Sequence, residues 1–253
     1  MIDLKKNIQK LISRYKSLPF LKKDFERIKL EIDDIYSFQL LQPLLVNNRY
    51  LPLNGGAMRP MGIAYILNEI LINNRKNILE FGAGISTILI ARLIKKNNLG
   101  IQLHTIEHNK EWIIDLQRML EDEGLSDHVV FIHSDLKVDS NIENCKWYDE
   151  NLLIKKLEKM FFDLVIIDGP PADIPKISFS RYPIINFIEK RLEKDFCIFL
   201  DDANRIGERK LVQDLKILFP KNKSSHISKT FFVTYSDLNF NPIPLHYILP
   251  KSS

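Results

Sequence analysis

The chain has 253 residues, enough for one large domain or two small ones. Its 45% hydrophobic and 27% charged content is ordinary for a globular protein and excludes a disordered or fibrous one. No apolar run reaches the ~18–20 residues of a membrane span, and the N-terminus lacks the apolar core of a signal peptide. Cys145 and Cys197 supply neither a disulfide framework nor a metal-ligand spacing, so a soluble, intracellular, cytoplasmic protein is expected. Charge is spread unevenly. Residues 1–60 hold 11 Lys and Arg against 6 Asp and Glu, whereas residues 61–253 hold 25 against 26. The net +4 thus belongs to the N-terminal segment. A nucleic-acid enzyme concentrates positive charge around its active site, so no DNA or RNA partner is expected.

Leu4, Ile8, Leu11, Ile12, Tyr15 and Leu18 recur at helical spacing among basic residues, predicting an amphipathic helix that Pro19 ends. A second helix is expected over 22–41. The segment from Pro43 to Pro60, with Asn47-Asn48, Pro52 and Asn54-Gly55-Gly56, carries loop punctuation. It divides the chain into an N-terminal helical extension, 1–57, and a main domain, 58–253. There, helices are expected at 61–73, 86–96 and 110–123, and strands at 77–81, 103–107, 129–133, 162–168 and 196–200. Apolar strands alternating with helices predict an α/β fold: a doubly wound, mostly parallel, Rossmann-like sheet covered on both faces. The tail differs, with 230–235 and 245–249 expected to form a terminal antiparallel pair.

In such sheets ligands bind beyond the carboxyl ends of the strands. The residues there form a set: Glu80 to Thr87, Glu107-His108, Ser134-Asp135, Asp168-Gly169 and Asp201-Asp202. In Glu80-Phe-Gly-Ala-Gly-Ile-Ser-Thr87, two glycines between a strand and a helix let backbone approach a ligand and present N-terminal amides. A bare tight turn is the alternative reading. Thr87 stands where the dinucleotide fingerprint has its third glycine, which counts against a nicotinamide-dependent oxidoreductase. Glu107, 23 residues after Gly84, is an acid placed to accept hydrogen bonds from both hydroxyls of a ribose.

Taken in order, Glu80-x-Gly-x-Gly-x-Ser-Thr87, Thr105-Ile-Glu107-His108, His133-Ser-Asp135 and Asp163-Leu-Val-Ile-Ile-Asp-Gly-Pro-Pro171 resemble the class I S-adenosylmethionine-dependent methyltransferases, over about residues 58–250. The resemblance implies S-adenosylmethionine (SAM) as cofactor. It assigns the turn under the methionine moiety to Glu80, Gly82, Ala83, Gly84, Ser86 and Thr87. Glu107 is then the ribose ligand, His108 touches the adenosine, Asp135 lies beside the adenine, and Asp168 borders the same cofactor.

Asp168 ends the fourth expected strand and Asp201-Asp202 follow the fifth. Neighbouring strands lie roughly 4.8 Å apart, so these acids can converge on one hard cation such as Mg²⁺. Acids so placed bind a divalent metal in catechol-type and macrolide-sugar O-methyltransferases, and matching by position puts Asp168, Asp201 and Asp202 in that role. Two readings stay open: this metal site, or Asp168 as general base with Asp201-Asp202 binding substrate or capping a helix. Asp168, Asp202 and Arg181 are the candidate catalytic residues. Trp147-Tyr148-Asp149 is either a stacking wall for a sugar or a set of packing aromatics. Met58-Arg59-Pro60, by family analogy, closes over the methionine end of the cofactor.

The expected activity is methyl transfer to a hydroxyl of a small polar acceptor, best a sugar or glycan precursor. A non-catalytic SAM-binding scaffold subunit is the rival from another class. The basic N-terminal helix has three open readings: a lid or homo-oligomerisation element, a peripheral membrane contact, or a plain appendage.

Overall fold

The computed structural model describes residues 19–236 and 239–244. Helix α1, Pro19–Leu45, packs against α2, Pro60–Ile72. Leu41 and Leu44 are buried on its inner side, while Phe25, Ile28, Ile32 and Ile35 are exposed. Pro43 lies within α1, where a loop was expected. A proline there removes one backbone donor near the helix end, and the burial of Leu41 and Leu44 on either side holds the turn in place. The expected helix before Pro19 and the strand at 245–249 lie outside the described residues.

From Asn77 onward, strands and helices alternate as the apolar pattern predicts. They are β1 Asn77–Phe81, α3 Ile85–Lys96, β2 Gln102–Glu107, α4 Lys110–Asp122 and β3 Val129–His133. A two-stranded antiparallel hairpin follows, β4 Leu136–Val138 and β5 Lys146–Tyr148, then α5 Glu150–Lys156, β6 Phe162–Ile167 and α6 Ile184–Ile188. The chain closes with β7 Leu192–Leu200, α7 Ile206–Leu218, β8 Lys223–His226 and β9 Phe232–Tyr235.

The central sheet has the order β3-β2-β1-β6-β7-β9-β8. Strands β3 to β7 in this row run parallel, and β9 is antiparallel to both of its neighbours. The tail strand at 232–235 therefore joins the main sheet between β7 and β8. It does not form a separate terminal pair.

Successive strand residues point to opposite faces, which divides the core in two. Ile78, Leu103, Leu164, Ile166 and Phe199 join the layer beneath α1 to α4. Leu79, Phe81, Ile106, Val165, Ile167, Ile198 and Leu200 join the layer beneath α5 to α7. Each fully buried Leu or Ile contributes about 1.5–3 kcal/mol, so the register of the middle strands is strongly specified. Trp147 is buried in the second layer, its ring stacked on Phe81 at 5.6 Å. The apolar partner fills its face, so it is a packing aromatic, not a sugar wall. No helix among the described residues is long and apolar enough to cross a membrane.

The strand order also fixes where a ligand can sit. The chain steps outward from β1 to β2 to β3, then returns to the other side of β1 with β6. The crevice at this reversal opens beyond Phe81 and Ile167, between Gly82 and Asp168.

Candidate active site

Backbone ladders continue one residue past each strand. Gly82 N donates to Ile106 O at 2.9 Å, Asp168 N to Phe81 O at 2.9 Å, and Asp201 N to Ile167 O at 2.9 Å. The glycine turn and the two acidic loops are thereby held to the sheet edge as one frame. Gly82 adopts φ +89, and a Cβ there would stand 2.8 Å from Gly169 N, so only glycine allows the two loops to cross. A Cβ on Gly84 would meet nothing within 4 Å.

Above this frame lies a cavity of about 520 Å³. One end is bordered by Gly82, Ala83, Gly84, Ser86, Glu107, His108, Asn109 and Trp112, the other by Asp168, Pro170, Asp173, Arg181, Asp201, Asp202, Arg205 and Thr230. Gly55 to Arg59 forms a side wall. That wall is anchored to α1, since Arg59 donates to Asp34 at 2.7 Å and to Leu30 O at 3.0 Å. Of the stretch Met58-Arg59-Pro60, Met58 and Arg59 border the cavity and Pro60 does not.

The first end is a closed hydrogen-bond system. Glu107 Oε1 accepts from His108 N at 2.8 Å and Asn109 N at 2.7 Å, and Oε2 accepts from Ala83 N at 3.1 Å. His108 Nδ1 also stands 2.7 Å from Oε1. Burial alone would raise this carboxyl, but these donors outweigh it and hold Glu107 below the usual carboxylate range. A carboxylate has about four acceptor positions, so Oε2 retains one for a ligand hydroxyl. Trp112, whose indole N–H donates to Ala83 O at 2.9 Å, is fixed at the same end by Asn109, which caps α4.

Glu80 and Thr87 do not border the cavity. Glu80 is wholly buried and accepts from Ser86 Oγ at 2.5 Å and Thr87 Oγ1 at 2.6 Å, while Thr87 Oγ1 accepts from Gly84 N at 2.9 Å. Both residues build the turn from beneath. Burial pushes the Glu80 carboxyl up to about 7. Asp135 is also away from the cavity: its side chain is 84% exposed and 3.6 Å from His133 Nε2. Ser134 N pairs with Glu107 O, and Asp135, the next residue, lies out in solvent.

At the second end the acids crowd. One carboxylate oxygen each from Asp168, Asp201 and Asp202 lies within 4.8 Å of the others. Arg181 is buried beneath them. It donates to Asp168 O at 2.7 Å and Pro170 O at 3.0 Å, and stands 3.4 Å from both Asp168 Oδ1 and Asp202 Oδ2. Glu208, fully buried in the first turn of α7, faces Arg181 Nε at 3.6 Å. Arg205 reaches Asp202 Oδ2 at 2.8 Å. Asp202 has φ +54, a left-handed backbone.

Burial and the neighbouring Asp201 charge push Asp168 well above its ordinary value. Burial, then Asp202, pushes Asp201 up to about 6. Burial likewise pushes Glu208 up to about 7. A carboxylate so raised binds a proton readily, which is what a general base requires. The three oxygens are also hard donors of the kind a divalent cation takes. Four carboxylates against the two guanidinium groups of Arg181 and Arg205 leave a formal charge of −2 in this cluster. The residues present therefore fit a dication.

Sequence reasoning brought together Gly82, Ala83, Gly84, Ser86, Glu107, His108, Asp168, Arg181, Asp201 and Asp202, and the structure places all of them on one cavity. It missed Trp112, Asp173, Thr230 and the buried partner Glu208. Trp112 carried a signal, being three residues after the capping Asn109, whereas Thr230 reaches the site only through the pairing of β9 with β7.

Residues 79–203 match the family described as the methyltransferase domain. No curated protein matches the chain. Among solved structures, the SAH-bound methyltransferase PaMTH1 of Podospora anserina is similar at 15% identity and a TM-score of 0.55, covering 87% of this chain and 98% of that one. An O-methyltransferase of Bacillus cereus in complex with SAH is similar at 17% identity and a TM-score of 0.51, covering 80% and 89%. A methyltransferase of Geobacter sulfurreducens is similar at 17% identity and 0.51, covering 71% and 80%. These likenesses are of fold. Residues 79–203 carry the match to a methyltransferase domain, and the motif order around them resembles the class I S-adenosylmethionine-dependent methyltransferases, with which these folds agree.

Proposed function

We propose that this protein transfers the methyl group of SAM to a hydroxyl oxygen of a small polar acceptor, with a sugar or glycan precursor the best-fitting class. The observation that carries the reading is the single cavity running from the satisfied carboxylate of Glu107 to the crowded acids Asp168, Asp201 and Asp202. The sulfonium donor is already activated, so the protein must align three centres and weaken one O–H bond. The fold's solved neighbours with SAM-type ligands support the cofactor, and one of them is described as an O-methyltransferase.

In this reading the open Cβ side of Gly84, with Ala83 and Ser86, receives the methionine moiety, and Glu107 Oε2 takes a ribose hydroxyl. In the alternative without a cation, Asp168 accepts the proton of the attacking hydroxyl. Arg181 holds Asp168 and Asp202 in place and remains charged, because the surrounding acids outweigh its burial. Asp168, Asp201 and Asp202 would hold a divalent cation, which when bound supplies Lewis acidity to an acceptor hydroxyl. The acceptor end is bordered mostly by acids, arginines and Thr230, with Pro170 and Pro171 its apolar residues, while Trp112 stands at the other end. Such a lining suits a polyhydroxyl compound better than a flat phenol, which needs apolar faces.

The test is a methyl-transfer assay over free and nucleotide-linked sugars and catechols, with and without EDTA, after calorimetric titration with S-adenosylhomocysteine (SAH). Micromolar SAH binding and turnover on a sugar, lost with EDTA, is expected. Turnover on catechols alone overturns the acceptor class, and turnover unchanged by EDTA removes the cation. An absence of SAH binding removes the catalytic reading.

A further inference from the structure

The β4–β5 hairpin ends at Tyr148, whose side chain is 2% exposed yet borders the cavity. Its ring packs at 6.0 Å from Phe81 and 5.1 Å from Trp147, contacts that a phenylalanine would make equally well. The hydroxyl is what packing leaves unexplained. It is buried and finds no hydrogen-bond partner in the protein. A Cβ placed on Gly169 would stand 2.9 Å from this oxygen, so the hydroxyl abuts the point where the Gly82 and Gly169 loops cross. That point lies at the middle of the cavity floor, between the ends of β2 and β6 that carry Glu107 and Asp168.

We infer that the Tyr148 hydroxyl is a further cofactor-contacting group, giving a hydrogen bond to a polar atom of the bound adenosyl cofactor between Glu107 and Asp168. The inference rests on the SAM reading above. A buried hydroxyl without a partner is unfavourable, and a ligand atom at the cavity floor removes that cost. Burial, reinforced by the Glu107 charge, keeps the phenol protonated, so it is available as a donor. The adjacent Trp147 provides the contrast. Its indole N–H is also buried without a partner, but Trp147 does not border the cavity.

Calorimetric titration with SAH and thermal unfolding of the ligand-free protein, on wild type, Tyr148→Phe and Trp147→Phe, test the assignment. Tyr148→Phe should weaken SAH about 3- to 10-fold, the scale of one neutral hydrogen bond. Its Tm without ligand should match or exceed that of wild type. Trp147→Phe should bind SAH within about twofold of wild type, whatever its Tm, since it leaves the ligand's partners in place. Unchanged affinity in Tyr148→Phe overturns the inference while leaving the cofactor reading intact. Equal weakening in both variants, or a Tyr148→Phe protein that loses stability or fails to fold, makes the hydroxyl a packing partner of the hairpin and also overturns it. A wild type that does not bind SAH overturns the cofactor reading itself.

Discussion

Glu107 and Asp168 are carboxylates at the ends of two strands that flank β1, and both border the same cavity. Their surroundings push them in opposite directions. Glu107 receives three backbone donors and the His108 ring, so its charge is stabilised in place and its pKa falls. Asp168 shares its space with Asp201 and Asp202, so burial and repulsion make it proton-seeking. One end of the cavity thus keeps its carboxylate ionised, and the other favours the protonated form of its own. The supply of donors, not the residue type, sets this difference.

That contrast is broken most sharply at Asp168. Asp168→Asn removes the proposed base and one of the crowded oxygens, and kcat is expected to fall about 10²–10⁴-fold while SAH still binds. Turnover within tenfold of wild type would shift the base to another group. Arg181→Met should be the most destabilising change. It leaves Asp168 and the buried Glu208 without their cation, and losing one partner of such a buried set costs about 3–5 kcal/mol. Chemical denaturation reads that loss directly, and a loss under 1 kcal/mol would mean that the acids are neutralised by protons instead.

At the other end, Glu107→Ala should weaken SAH by about 1–3 kcal/mol, because it strands the Ala83, His108 and Asn109 amides as well as the ligand. Asp135→Ala, by contrast, should change SAH affinity by no more than about 0.5 kcal/mol, as for an exposed side chain away from the ligand. A larger effect would bring Asp135 back to the cofactor.

The pH dependence of stability separates the same two kinds of carboxylate. Glu80 and Glu208 have folded pKa values raised to about 7 from an ordinary 4.5. Between these values the native state holds protons that the unfolded chain has released, so their contribution is lost as pH rises. Glu107, with its pKa lowered, instead contributes stability above its ordinary value that is lost as pH falls through the folded one. Tm measured with a chelator present should therefore decline from pH 5 to 8. The decline should be shallower in Glu208→Gln, and an identical slope in that variant would remove Glu208 from the account.

The alternation of strands and helices was legible in the sequence because each middle strand is apolar on both faces, as a parallel sheet covered by helices demands. Gly82, Gly84, Glu107, Asp168, Asp201 and Asp202 were legible for a related reason: each lies at or within three residues of the end of a strand, and a strand end is local in sequence. The position of the tail strand was not, since 232–235 pairs with β7 and β8 by contacts remote in the chain. Nor were the roles of Glu80 and Thr87 beneath the turn, the outward placing of Asp135, or the burial of Arg181 against Glu208. Those depend on which way a side chain leaves its element and what it meets there, and only the assembled fold decides that.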